Sequence, residues 1–217
     1  MKKIWMVAGV SLILASCGST GGTGNNTADA GLSTPLTTNE IAGLKYMREE
    51  EELARDLYMN IFTARGSTLT IFKNISLNSE VGHAQKVLDL LNTYGETDPS
   101  TGNTMTYTDT GLQTLYNQLI GTATGGATTD LDALMVGAKV EEVDIEDINA
   151  KKAQVQAAHA LIIQTYDNLL CGSRNHLRSF VAQIKQNTGA TSYTAQVPAV
   201  AAQVAQILAT PQEKCGK

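Results

Sequence analysis

The chain carries one tryptophan, four prolines, three cysteines and three histidines in 217 residues. Each scarcity excludes something. No Cys-x-x-Cys pair is present, which rules out a zinc ribbon, a thioredoxin-type redox motif and a fused rubredoxin-like iron site. There is no Gly-rich phosphate loop, no dinucleotide fingerprint and no Ser-His-Asp arrangement, and no internal repeat organises the chain. Basic residues are outnumbered, 16 Lys and Arg against 21 Asp and Glu. The resulting net charge of −5 argues against nucleic acid or an anionic membrane surface as partner. No apolar run reaches the ~20 residues that span a bilayer.

The longest apolar stretch, residues 4–15, follows Lys2 and Lys3 and ends in Leu14-Ala15-Ser16-Cys17. This is the layout of an export signal, and its end resembles a bacterial lipobox. The resemblance implies cleavage before Cys17, lipid on that cysteine and a home in the cell envelope. In a Gram-negative cell that means the outer membrane or the periplasmic face. An ordinary secretory signal with a chance cysteine is the alternative. Cleavage removes Trp5 and both leader lysines and takes the charge to −7. Residues 17–38 are Gly, Thr and Asn in bulk and read as a flexible tether. About 175 residues remain, enough for one core. In an oxidising compartment Cys171 and Cys215 either pair, stapling the tail to the body, or stay as two thiols.

Helical periodicity organises the body. Thr37-x-x-Glu40 reads as a capping box, and helix A runs over 39–64 until Gly66. Helix B is expected over 68–94, closed by Gly95. Residues 95–128 read as a long crossover with a short helix over 112–120. Helix C covers 130–149 and helix D 152–185, and a last short helix lies between Pro198 and Pro211. The expected fold is all-α. Two long hairpins joined by a crossover have the topology of a ferritin-like four-helix bundle over 39–186, with 187–217 a C-terminal extension.

The chemistry lies in acids and histidines on the apolar faces. Glu80 and His83, in SEVGHAQKVLDLL, sit about 60 degrees apart on the inward face of helix B and can ligate one metal. A buried carboxylate costs several kcal/mol unless it is paired or bound to a metal. Gly82 between them is expected to allow a close helix or backbone approach. Of Glu49 to Glu52, most read as a solvated acidic face, with Glu51 turned inward and Glu50 its nearest competitor. Tyr58 lies two turns below Glu51, where it could support the site. Glu141 is the inward acid of helix C, with Asp144 three residues on. On helix D, His176 borders the apolar stripe and Tyr166 lies on it. His159 also faces this stripe, but at about 25 Å from His176 it reads as structural.

The run Glu51-Glu52-Leu53-Ala54-Arg55-Asp56-Leu57-Tyr58 resembles the first metal-binding helix of rubrerythrin, and SEVGHAQKVLDLL resembles its second. By the same comparison Glu141 falls on a third-helix ligand and Ser173-Arg174-Asn175-His176 on the last Glu-x-x-His, with Ser173 in place of the acid. The strings YMREEEELARDLY, SEVGHAQKVLDLLNTYGETDP, VGAKVEEVDIEDI and GSRNHLRSF are more closely similar to the family called domain of unknown function 2202, over roughly residues 40–186. The resemblance implies a ferritin-like bundle with a metal site at Glu51, Glu80, His83, Glu141 and His176, with Glu50 and Asp144 in reserve and Tyr58 and Tyr166 as supporting groups.

Three functions fit that set. One is a di-iron oxidoreductase, with manganese or zinc as other metals, acting as a ferroxidase or on peroxide, with dioxygen or peroxide as partner. The second is metal capture at the envelope without turnover. The third is a metal-free interaction bundle, motivated by the acid lost at Ser173. Nothing in the sequence specifies the oligomeric state.

Overall fold

The protein is described by a computed structural model covering residues 32–216. The leader, Cys17 and most of the tether lie outside the described residues. Within them every regular element is helical: α1 (Thr38–Ala64), α2 (Thr70–Ile75), a π-helical turn (Ser76–Glu80), α3 (Val81–Thr93), α4 (Thr110–Thr124), α5 (Asp130–Lys152), α6 (Ala160–Thr188), a 3-10 turn (Pro198–Val200) and α7 (Ala201–Leu208). The starts of α1 and α5 obey local rules. Thr37 with Glu40, and Thr129 with Asp132, form capping boxes that satisfy the first free N–H groups. Gly189, at a left-handed φ of 71°, ends α6.

The element expected as one helix over 68–94 is interrupted. Five residues, Ser76–Glu80, form a π-helical turn between α2 and α3. Its wider winding lets the apolar face of α2 (Phe72, Ile75) and that of α3 (Ala84, Val87, Leu90, Leu91) both point inward. Ser76 fastens the turn to α1 by donating to the carbonyl of Arg55 at 2.9 Å. Such turns relieve one extra residue in a helix and often occur at functional sites, and this one ends on Glu80.

α5 packs along α6 and α1 along α3, and the pairs meet through α1 with α5 and α3 with α6. Their shared core includes Tyr58, Phe72 and Phe180, whose ring centroids lie 5.2–5.6 Å apart. A Cβ on Gly137 would collide with the Phe180 ring, so this glycine lets α5 and α6 close together. The crossover helix α4 lies against α1 and α5.

The acidic face expected on α1 is not solvated. Glu49, Glu50, Glu51 and Glu52 are all buried, because the crossover and the neighbouring helices cover them. Glu49 accepts from the backbone N–H of Thr108 and of Asp109, and so pins the start of α4. Glu52 pairs with Arg48 and Arg55. Glu142 plays the part of Glu49 on α5, accepting from the N–H groups of Gln196 and Val197 at 2.7 Å and from the Tyr193 hydroxyl.

His159 does not lie on a helical stripe. It precedes α6, fully buried, with Nδ1 2.5 Å from Glu40 and Nε2 3.1 Å from the Thr34 carbonyl. Burial alone would raise the Glu40 pKa, but His159, Thr37 and Gln156 overcome it and lower it from 4.5 to about 2. A depressed carboxyl stabilises the fold above its unfolded value and loses that contribution as pH falls toward the folded one. On the order of 3 kcal/mol should therefore disappear between pH 4.5 and 2. Denaturant midpoints measured from pH 6 to 2.5 should fall more steeply in the wild type than in Glu40→Gln. Parallel falls would assign the acid lability elsewhere.

Candidate metal centre

Five elements converge on one point of the core. α1 brings Glu51, the end of the π turn brings Glu80, α3 brings His83, α5 brings Glu141 and α6 brings His176. The ligand atoms fall into two groups, each within 4.8 Å: Glu51, Glu80 and His83, and Glu80, Glu141 and His176. Glu80 belongs to both. Its Oε2 lies 3.0 Å from His83 Nδ1, and its Oε1 lies 2.9 Å from His176 Nδ1. Glu51 Oε2 completes the first group at 3.2 Å from His83 Nδ1, and Glu141 Oε2 the second at 3.4 Å from His176 Nδ1. The two imidazoles stack with centroids 5.7 Å apart.

The surrounding shell orients these groups. Tyr58 donates to Glu141 Oε1 at 2.5 Å, and Ser79 Oγ lies 3.2 Å from His83 Nε2, on the outer side of the ring. Outer hydrogen bonds of this kind fix the tautomer and aim of a ligating histidine. Tyr166 sits apart, its hydroxyl against Gly43 of α1, two turns before the glutamates. Ser173, where the resemblance expects an acid, donates to Asp144 Oδ2 and to the Leu169 carbonyl.

The residues fit a pair of metal ions. Glu51 Oε1, Glu80 Oε1 and His176 Nδ1 are buried and have no hydrogen-bond partner, although the last two approach within 2.9 Å. Atoms that draw together without aligning for a hydrogen bond are placed as donors facing a common guest are placed. Carboxylate and imidazole donors of this mix suit iron, manganese or zinc.

The family model described as an uncharacterized protein domain, DUF2202, matches residues 40–211. The chain belongs to that family. It is 37% identical over 163 residues to the uncharacterized protein MJ0754 of Methanocaldococcus jannaschii, covering 75% of this chain and 83% of the relative. It also matches the crystal structure of hypothetical protein MJ0754 from Methanococcus jannaschii with a TM-score of 0.74 at 33% identity, over 83% of this chain and 98% of that one. The DUF2202 match contains all five converging residues, and it stops short of Cys215.

Electrostatics within this DUF2202 site follow from crowding acids around two histidines. Burial raises the Glu51 pKa to about 7 even against the pull of His83, and Glu80 adds to the rise. Burial would lower the His176 pKa, but Glu141 and Glu80 hold it up at about 10. His83 is raised likewise by Glu51 and Glu80. Glu80 alone falls well below the ordinary carboxylate range, because His176 and His83 together outweigh its burial. Metal binding here is coupled to loss of the protons that the raised pKa values of the histidines and of Glu51 favour.

One residue that the sequence reading passed over shapes the site. A Cβ on Gly172 of α6 would stand 2.5 Å from His83 Cε1 and 2.7 Å from Nε2, so the ring lies directly on this helix backbone. Gly82, expected to serve close approach, is exposed and has open space around it. The only advance sign at Gly172 was a glycine inside a long helix, where it costs ~1 kcal/mol against alanine and so calls for a packing reason. Gly172→Ala is expected to displace His83, to cost about 1–3 kcal/mol through overpacking, and to weaken metal binding at the group His83 belongs to. Metal analysis beside a denaturation curve checks both.

Proposed function

We propose that this protein is a ferritin-like bundle that holds a pair of transition-metal ions, iron foremost, with Glu80 bridging them. In this reading Glu51 and His83 complete one coordination set, and Glu141 and His176 the other. The single observation that carries it is that the two oxygens of one buried carboxylate each approach a different histidine. A metal pair so held supplies redox chemistry toward dioxygen or peroxide, as a ferroxidase or a peroxide reductase. The protein's own part is to aim the histidines through Ser79 and Gly172, to hold the Glu141 carboxylate through Tyr58, and to keep the acids dry. Capture of iron without turnover is the second reading, favoured by Ser173 standing where a further ligand acid would complete the set.

The site works outside the cytoplasm, anchored by lipid on Cys17. The Leu14-Ala15-Ser16-Cys17 sequence supports this, as does the Cys171–Cys215 disulfide, a bond suited to an oxidising compartment. Among the described residues no helix is long and apolar enough to cross a membrane, so the lipid would provide the attachment.

The deciding experiment loads the full chain with ferrous iron under anaerobic conditions and counts iron per chain, then adds peroxide or dioxygen. About two irons with catalytic consumption of the oxidant is the expected result. Two irons with a single stoichiometric oxidation would favour capture, and no bound metal would overturn the paired reading.

A further inference from the structure

The five converging side chains are not equally dry. Glu51, Glu80 and Glu141 are 1–3% exposed, whereas the side chains of His83 and His176 are each 12% exposed. The site therefore meets solvent at its histidine edge. That edge lies in the seam between α3 and α6, where the His83 ring rests on the Gly172 backbone and stacks on His176. The seam is hollow on both sides of the two rings. One hollow, of about 230 Å³, opens one turn beyond His83 and is lined by Lys86 of α3 and Asn168 of α6. The other, of about 640 Å³, opens one turn beyond His176 and is lined by Ser179 of α6 and Asn74 of α2. Each has room for several waters.

The C-terminal tail forms the outer lip of this seam. Gln212 Nε2 donates to Ser179 Oγ at 3.4 Å, and a Cβ on Gly216 would stand 2.5 Å from Asn168 Oδ1, so the tail passes both hollows. Along seam and lip Lys86, Arg174, Arg178 and Lys214 outnumber Asp89 and Glu213, and both arginines already pair with Glu213. Such a margin offers a cation nothing to steer it inward, and it does not oppose an uncharged molecule. With so little of each ring exposed, the opening between them is narrow.

We propose that the seam between α3 and α6 is the entrance through which the centre takes its oxidant, and that it admits a small uncharged molecule, of the peroxide or dioxygen class, past the edges of His83 and His176. This rests on the paired reading for what the molecule meets, while the opening belongs to the metal-free fold and is tested there. Dissolved dioxygen is the probe, because it is uncharged and its paramagnetism speeds the relaxation of nuclei it approaches. The full chain, metal-free and with ring-labelled histidine, is studied by nuclear magnetic resonance under nitrogen and under oxygen. His159, at 0% exposure, is the internal blank, and the exposed Leu77 methyls are the reference. Inert hexaamminechromium(III) is the cationic counterpart. The blocked variant carries Lys86→Trp with Ser179→Trp. Val81→Trp, two residues before His83 and so on the far side of α3, adds bulk elsewhere. Circular dichroism checks folding.

The expected result is oxygen relaxation of His83 and His176 several-fold above that of His159, lost in the blocked variant and kept in Val81→Trp, with the cation reaching Leu77 but neither ring. Rings relaxed no more than His159, or relaxed undiminished in a folded blocked variant, overturn the entrance. Should the blocked variant not fold, the comparison with His159 and the chromium measurement decide. Relaxation of the rings by the cation as strong as by oxygen, each taken relative to Leu77, would make the seam an ion path and overturn the assignment to an uncharged molecule. An open seam in a chain that binds no iron would sustain the opening and sink the pair, whereas a closed seam in a chain that binds two would sink the entrance alone.

Discussion

Glu80→Ala is expected to remove both ions at once. His83→Ala and His176→Ala should each leave about one of about two, since each histidine serves one group whereas Glu80 serves both. The asymmetry is the signature of a shared carboxylate. Two independent sites would lose their ions separately, and a site assembled around either histidine alone would lose everything with that histidine. The substitution also takes from both histidines the carboxylate they share, so the metal-free variant should keep its helical spectrum but be less stable than the wild type. Metal content by mass spectrometry, with circular dichroism on the same samples, reads both quantities. Retention of a full ion in Glu80→Ala would disprove the bridge.

The opposite pattern is expected where the C-terminal tail is fastened to the middle of α6. Cys215 is joined to Cys171, closing a loop of 44 residues. Around it Arg174 and Arg178 grip the Glu213 carboxylate, and Asn175 donates to the Glu213 carbonyl. Constraining a loop of this length in the unfolded chain is worth about 4 kcal/mol in the chain-entropy treatment, with 2–4 usual. Cys215→Ser should lower the thermal midpoint by about 5–15 °C in a protein of this size. Metal content should be unchanged, since none of the five ligands lies in the tail. A shift below about 2 °C would mean that the Glu213 clamp holds the tail without the covalent bond.

The sequence disclosed most where the signal is local. The capping box at Thr37, the long apolar stripes of α1, α5 and α6, and the inward aim of Glu51, Glu80, His83 and Glu141 all follow from local pattern within one helix. What stayed hidden depends on contacts between elements. An ideal wheel winds every residue by 100 degrees, so it passes smoothly through Ser76–Glu80, where the chain winds more loosely. Glu49 and Glu52 point away from the α1 stripe on that wheel and would be wet if α1 stood alone. Glu49 is satisfied by crossover residues more than 50 positions later, and Glu52 by Arg48 and Arg55 of its own helix. Gly172 needed the position of His83 to acquire a meaning.

Glu49 and Glu142 link the surface to the interior in a way that bears on how the chain can vary. Each stands one or two residues from a converging acid, and each is kept content inside the protein by backbone N–H groups from a distant loop. Those loops, around 108–109 and 196–197, are thus the solvent of two interior anions. A shorter crossover, or a chain cut before Gln196, would strip that solvation and leave a bare charge next to Glu51 or Glu141. Loop length here is therefore a property of the interior, and trimming at these two places should disturb the centre more than trimming of equal size at the exposed 101–104 segment.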